Sequence, residues 1–469
     1  MIRTLIPAIF LAFLAVAPCC GAAPGSTFNV RDYGATGDGK TLDTASINKA
    51  VDACASSGGG EVLVPAGGYL CGTVHLKSNV TLKLDPGATI VGTSDLEQYQ
   101  NFTPPKGPPM WGGLHWHRAL LLGDGVENVT ITGGGVIDGN KVFDATGEEH
   151  MRGPHGVLFG NSNNITLRDI SIRDAANYAV MLEFTSHVSV RGVKITGGWD
   201  GVHFRGWKDN PCRDVSITDC EFYTGDDCIA GWYWQDTLID RCVINSSCNG
   251  IRLIGPATNL IVHDCLFFGP GKNEHRTSKE KHRTNMLAGI NIQPGAWGKT
   301  EGLIDSVHVS DVVMHDVASP LFVTARTGAT IGTITIDRLT ATGVYRSAAS
   351  VESWADEPIG RLALRDATIE YTGGATAEQA AAAVRAPGVD ARPLPAWGLY
   401  ARHIKRLDLS NVRLDVEKTD PRTAVLCDGV ESLAIDTLKV PGDVSKYLTL
   451  KEVGEIRTDE PTPRREGKR

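Results

Sequence analysis

The feature that most constrains this chain is a repeat in the low twenties of residues. It shows in "NNITLRDISIRDAANYAV", "SHVSVRGVKITGGWDGVHF", "CRDVSITDCEFYTGDDCIA" and "DTLIDRCVINSSCNGIRLI". Each copy has a polar turn, a strand alternating Val, Ile or Leu with polar residues, a short turn and a second strand. Alternation puts one face in and one face out. A single copy cannot bury its inner face, and stacked copies can, so a repeat of this length implies a solenoid. The fold class is all-β, a right-handed parallel β-helix with a short α/β cap at the N-terminus. Vaguer copies follow in "DSVHVSDVVMHDVASPLFV", "IGTITIDRLTATGV" and "IGRLALRDATIEYT".

The copies can be set in register. Val188 matches Val215, so Asp200 matches Asp227; Cys220 matches Cys242, so Asp227 matches Asn249. These three polar residues are expected at one position on three successive coils, about 4.8 Å apart. Cys220, Cys242 and Cys265 form a second such ladder, read as a buried stack of small apolar groups rather than a redox centre.

The rest of the chain frames this solenoid. "MIRTLIPAIFLAFLAVAPCCGAAPGS" has a basic start, an apolar run and small residues, the pattern of a secretory signal over residues 1–23. The protein is therefore expected to be secreted or periplasmic, with no membrane span. Residues 26–125 are expected to form the cap and first coils, 126–455 the main parallel β-helix, and 456–469 a charged, disordered tail. Ile47, Ala50, Val51 and Cys54 fall on one helical face, suited to closing the end of the solenoid. A net charge of −8 and a pI near 5.9 offer no basic surface to nucleic acid. The cysteines beyond the leader are odd in number, with Cys54 and Cys71 a plausible disulfide in an exported protein. No CxxC pair marks a zinc site, and neither metal nor cofactor is called for. Sequons at Asn79, Asn128 and Asn164 read as turn residues before strands.

"GDD" at 225–227 raises the question of chemistry, because adjacent carboxylates push one pKa upward. With "FNVRDYGATGDGKTLDTASINKAV", "GGGEVLVPAGGYL" and "GWDG" at 198–201 before it, the chain resembles the polygalacturonase-like glycoside hydrolases, family 28, of the pectin lyase-like β-helix superfamily. The likeness covers roughly residues 28–300. It implies that Asp200, Asp226 and Asp227 are catalytic. Asp226 would protonate the leaving oxygen, Asp200 and Asp227 would hold and deprotonate water, and the anomeric centre would invert.

Two of the family's motifs are absent. Cys248-Asn249-Gly250 stands where the family has Gly-His-Gly, and Asn291-Ile292-Gln293 where it has Arg-Ile-Lys. In the family, the His supports the acid and the Arg and Lys grip a uronate carboxylate. Asn249, Asn291 and Gln293 offer amide hydrogen bonds instead, which suit neutral hydroxyls. His203, Arg205, Lys208 and Arg252 are nearby cations able to compensate, as is "KNEHRTSKEKHRTN" at 272–285. Trp232, Tyr233 and Trp234, with His115, Trp116 and His117, are candidates to stack on sugar rings, at least one Trp facing the cleft.

The expected function is hydrolysis of O-glycosidic bonds in a pectic or related polysaccharide or oligosaccharide. A Ca²⁺-dependent polysaccharide lyase, a non-catalytic carbohydrate-binding β-helix and an adhesive solenoid remain as alternatives. The oligomeric state is open.

Overall fold

The computed structural model describes residues 26–103, 117–275, 282–296, 300–326, 328–381, 383–442 and 447–458. The expected leader, with His115 and Trp116, lies outside these residues. The chain winds as a right-handed parallel β-helix, and each strand pairs in parallel with its counterpart one coil on.

One wall of the solenoid carries the site, and its strands are labelled here: β1 (His155–Gly160), β2 (Val180–Glu183), β3 (Val202–Arg205), β4 (Ile229–Trp232), β5 (Asn249–Leu253), β6 (Ala288–Ile292) and β7 (Leu321–Ala325). Their inward ladder runs Val157, Val180, Val202, Ile229, Ile251, Ile290, Leu321 without a slip. β-Branched residues dominate because they fit a pleated, buried surface. A one-residue slip would turn each of these side chains outward, so burial itself fixes the register. In later coils the second and third strands merge into single long ones, such as Gly302–His315 and Ile359–Gly373.

Turn chemistry punctuates every coil. Asn128, Asn164, His187, Asp214 and Asp236 each adopt φ between 51° and 57°. Asn and Asp are the side chains that best tolerate this left-handed region. The asparagines also bond to each other: Asn128 Nδ2 donates to Asn79 Oδ1 at 2.9 Å and Asn164 Nδ2 to Asn128 Oδ1 at 2.6 Å. The sequons thus form a turn ladder.

Helix α1 (Thr44–Ser56) buries Ile47, Ala50, Val51 and Cys54 completely over the first coils. The disulfide expected between Cys54 and Cys71 is not formed; both thiols are buried and unpaired. Cys54 lies at the end of α1, facing Gly60, whereas the chain at Cys71–Gly72 meets Thr44 at its start. Ten helical residues separate those points, about 15 Å. Cys220, Cys242 and Cys265 stack as small core side chains. At the C-terminus a strand Glu455–Thr458 still pairs with the preceding coil. Residues 459–469 lie outside the described ones. Among the described residues no helix is long and apolar enough to cross a membrane.

Small residues follow the ladder of site residues for a packing reason. A Cβ on Gly201 would sit 2.4 Å from the Cys228 carbonyl and 2.7 Å from the Phe222 ring. On Gly250 it would sit 2.6 Å from both the Gly289 carbonyl and the Phe267 ring. Gly201→Ala is therefore expected to cost about 1–3 kcal/mol by overpacking. Urea unfolding will read it, and a variant as stable as wild type would contradict this account of the glycine.

Candidate active site

Register delivers two of the three aspartates. β3 pairs with β4 and β4 with β5, so Asp200, Asp227 and Asn249 stand one above another. Backbone and side chain link them: the Asp227 N–H donates to Asp200 Oδ1 at 3.2 Å, and the Asn249 N–H and Nδ2 donate to Asp227 Oδ1 at 3.0 and 2.7 Å. Asn291 extends the chain, donating from Nδ2 to Asn249 Oδ1 at 3.0 Å. Asp226 projects from the turn before β4 and joins them. Asp200, Asp226 and Asp227 each bring an oxygen within 4.8 Å of the others.

The outward row of the wall shows where this cluster stands. It reads Leu122, Leu158, Met181, then His203, Ala230, Arg252, Asn291, then Phe322. At one end Leu122, Leu158 and Met181 are covered by Phe102, Tyr178, Trp199 and Met151. At the other end Phe322 packs under Ala391. There the segment around residue 390 folds across the sheet, with Gln293 Nε2 donating to the Gly388 carbonyl at 3.2 Å and Arg392 gripping buried Glu352 at 2.7 Å. Chain therefore covers the outward row on both sides of a four-coil polar window that holds the carboxylates.

The candidate residues divide within that window. Arg252 Nη1 lies 3.5 Å from Asp227 Oδ2, and its Nη2 donates to Gln293 Oε1 at 3.3 Å. His203 Nδ1 sits 2.6 Å from Asp200 Oδ2, and its ring stacks on Tyr178 at 4.2 Å. His203 is not a compensating cation. Burial first, then the charges of Arg205, His155 and Arg152, hold its protonation far below the ordinary range. Arg205 lies one row aside, over the faces of Tyr178 and Trp232 at 5.9 Å each. Trp232 is the half-buried indole of its trio; Trp234 packs on Phe204 in the core and the Tyr233 hydroxyl donates to the Glu301 carbonyl. Lys208 is exposed.

Two residues that sequence reasoning did not single out complete the site. Arg152 Nη2 lies 3.1 Å from Asp226 Oδ2, and His275 Nε2 lies 3.4 Å from Asp226 Oδ1. Arg152 comes from an irregular loop with no periodic pattern to flag it. His275 belongs to the basic insertion, whose composition was the only signal.

The charges sort accordingly. Burial, then the Asp226 and Asp227 charges, push the Asp200 carboxyl well above its ordinary value. Burial raises Asp227 as well; Arg252 pulls it down and Asp226 adds to the rise. Burial also works to raise Asp226, but the hydrogen bond and charge of His275, then the Arg152 and Arg252 charges, outweigh it and hold this carboxyl low. The free site therefore favours the protonated form at Asp200 and the ionised form at Asp226. Arg152 and Arg252 supply positive charge to Asp226 and Asp227.

A family model described as Rhamnogalacturonase A/epimerase, pectate lyase-like matches residues 27–272. A probable polygalacturonase of Vitis vinifera is 28% identical over 218 residues, 43% of this chain and 44% of that protein. An exopolygalacturonase of Zea mays is 22% identical over 395 residues, 75% of this chain and 85% of that one. The chain thus spans less than half of the Vitis relative and most of the maize one. Among solved structures, a family 28 exopolygalacturonase of Yersinia enterocolitica is 17% identical with a TM-score of 0.53, covering 94% of this chain and 80% of that one. A surface adhesin of Streptococcus pneumoniae is 15% identical with a TM-score of 0.56, covering 94% and 97%. Likenesses at these identities speak to the fold alone.

The raised Asp200 carboxyl has a consequence for stability. A folded-state pKa above the unfolded value means that the unfolded chain releases this proton first as pH rises. Stability is then lost upward from about pH 4, the ordinary Asp value. Asp200→Asn removes that loss, so its melting temperature relative to wild type should rise as pH increases above about 4. A difference independent of pH would contradict the buried, protonated Asp200.

Proposed function

We propose that this chain, which belongs to the family described as Rhamnogalacturonase A/epimerase, pectate lyase-like, hydrolyses glycosidic bonds of a pectic polysaccharide with Asp200, Asp226 and Asp227. The observation that carries the reading is the polar window: three carboxylates, brought within 4.8 Å, stand between apolar, covered stretches of one outward row. A structural or adhesive solenoid has no use for such a costly cluster. Relatives described as polygalacturonases point the same way.

The contacts support distinct roles. Asp226 is the most open of the three, at 13% side-chain exposure against 5% and 7%. That exposure supports it as the acid that protonates the leaving oxygen. Asp200 and Asp227 share the attacking water. The close spacing is nearer the roughly 5 Å of retaining enzymes than the 6.5–9.5 Å of inverting ones. A nucleophile needs an uncommitted oxygen, however. Both Asp200 oxygens face partners, the Asp227 N–H and His203. Both Asp227 oxygens do too, through Asn249 and Arg252. That commitment favours holding water over forming a covalent bond, and so favours inversion.

The covered flanks support attack at a chain end, as does the name of the maize relative. With Asn291-Ile292-Gln293 standing where the family has Arg-Ile-Lys, plain polygalacturonate should be a poorer substrate than a pectic chain carrying neutral sugars.

Incubation with polygalacturonate and rhamnogalacturonan, followed by reducing ends, unsaturated products and product length, tests this. Expected are short products from the outset, no unsaturated sugar, and inverted anomers by NMR. Asp226→Asn should lower turnover about 10²-fold or more. Because Asp226 is held low and Asp200 high, the active form needs the proton moved from Asp200 to Asp226, so kcat/KM should stay flat while Asp200 keeps its proton and fall once pH rises above the Asp200 titration. Unsaturated products would establish a lyase, and full activity in Asp226→Asn would remove that residue from the chemistry.

A further inference from the structure

Asp226 differs from its two partners in what orients it. Asp200 and Asp227 take their hydrogen bonds from ladder neighbours and from the sheet. Asp226 lies off the ladder, and its backbone is pinned through its carbonyl, which accepts from Thr224 Oγ1 at 2.8 Å and Ser246 Oγ at 2.7 Å. Its carboxylate meets Arg152 on one side and His275 on the other. The next ladder position holds Asn249, whose amide is spent on Asp227 and Asn291.

The delivery of His275 is built into the fold. The Lys272 N–H donates to Asn245 Oδ1 at 2.8 Å, and Asn273 Nδ2 donates to the Tyr223 carbonyl at 2.7 Å. The two limbs of the insertion join where the Gly271 N–H meets the Thr284 carbonyl at 2.6 Å and the His275 N–H meets the Arg283 carbonyl at 2.9 Å. Arg283 Nη2 then donates to Cys248 Sγ at 3.4 Å, beneath the site. Gly225 fits between two carbonyls here: a Cβ there would lie 2.5 Å from that of Gly198 on the preceding coil and 2.8 Å from that of Glu274. The glycine before the aspartate pair thus lets the insertion's backbone descend until His275, only 6% exposed, reaches Asp226.

We propose that His275, supplied by the 271–285 insertion rather than by the sheet, is the positioning residue that orients the Asp226 carboxyl. It provides what the Asn at position 249 cannot, an imidazole directed at the acid. The groups facing Asp226 are Arg152 from the upstream loop, Asp200, His203 and Asp227 on the wall, Cys248 and Arg252 from the next coil, and His275 and Arg283 from the insertion, with Glu148 and Glu149 beside Arg152. Arg152 and the wall remain when His275 is replaced, so its contribution can be isolated.

The inference rests on the hydrolase reading for its kinetic arm alone. The direct arm is NMR titration of ¹³C-carboxyl-labelled Asp, with the Asp226 signal assigned by its loss in Asp226→Asn. In His275→Ala the Asp226 titration should move to higher pH, because a group favouring the ionised form is gone. His275→Gln, which keeps an N–H donor, should move it less. With a hydrolysed pectic substrate, kcat should fall roughly 10- to 100-fold in His275→Ala with KM little changed, and recover in part in His275→Gln. An Asp226 signal titrating alike in all three proteins overturns the proposal, whether or not the wild type is active. An inactive wild type with a shifted titration would instead refute the hydrolase reading and leave His275 in its place.

Discussion

The arrangement depends on one constraint, the coil-to-coil hydrogen-bond register of the parallel wall. The inward apolar ladder from Val157 to Leu321 cannot slip by one residue without exposing itself. Because it cannot slip, whatever stands at the outward or turn positions is stacked at the strand spacing. Asp200 and Asp227 become neighbours for this reason, at a spacing where two carboxylates cannot both be comfortably ionised. The solenoid's core, by packing Val202 over Ile229, thereby sets the acid–base state of the groups beside them.

Loops complete what the wall begins. Arg152 and His275 reach Asp226 from opposite sides and make it the ionised member. His203, neutral and stacked on Tyr178, fixes Asp200. The wall thus raises two carboxyls and the loops lower the third, and the site is asymmetric although its aspartates are chemically alike. The same loops and the segment around residue 390 give the polar window its ends.

That division explains what the sequence made legible. Register, the helix face of α1, the Asn turn ladder and the stack of Asp200, Asp227 and Asn249 are periodic, and periodicity survives in one dimension. Arg152 is not periodic; it sits in "EEHMRGPHG", and nothing local ties it to a residue far along the chain. His275 was visible only as part of a basic run. The expected pairing of Cys54 with Cys71 failed because parity counts cysteines without placing them, and α1 sets the two at opposite ends. Reading His203 as a cation failed because burial, which suppresses its charge, belongs to the tertiary structure.

The most direct test is a crystal structure of the Asp226→Asn variant with a pectic oligosaccharide it cannot turn over. The account predicts a sugar in the polar window between His203 and Asn291, with the scissile oxygen at residue 226 and one water held between Asp200 and Asp227. An oligosaccharide bound elsewhere on the solenoid, with the three carboxylates untouched, would contradict it.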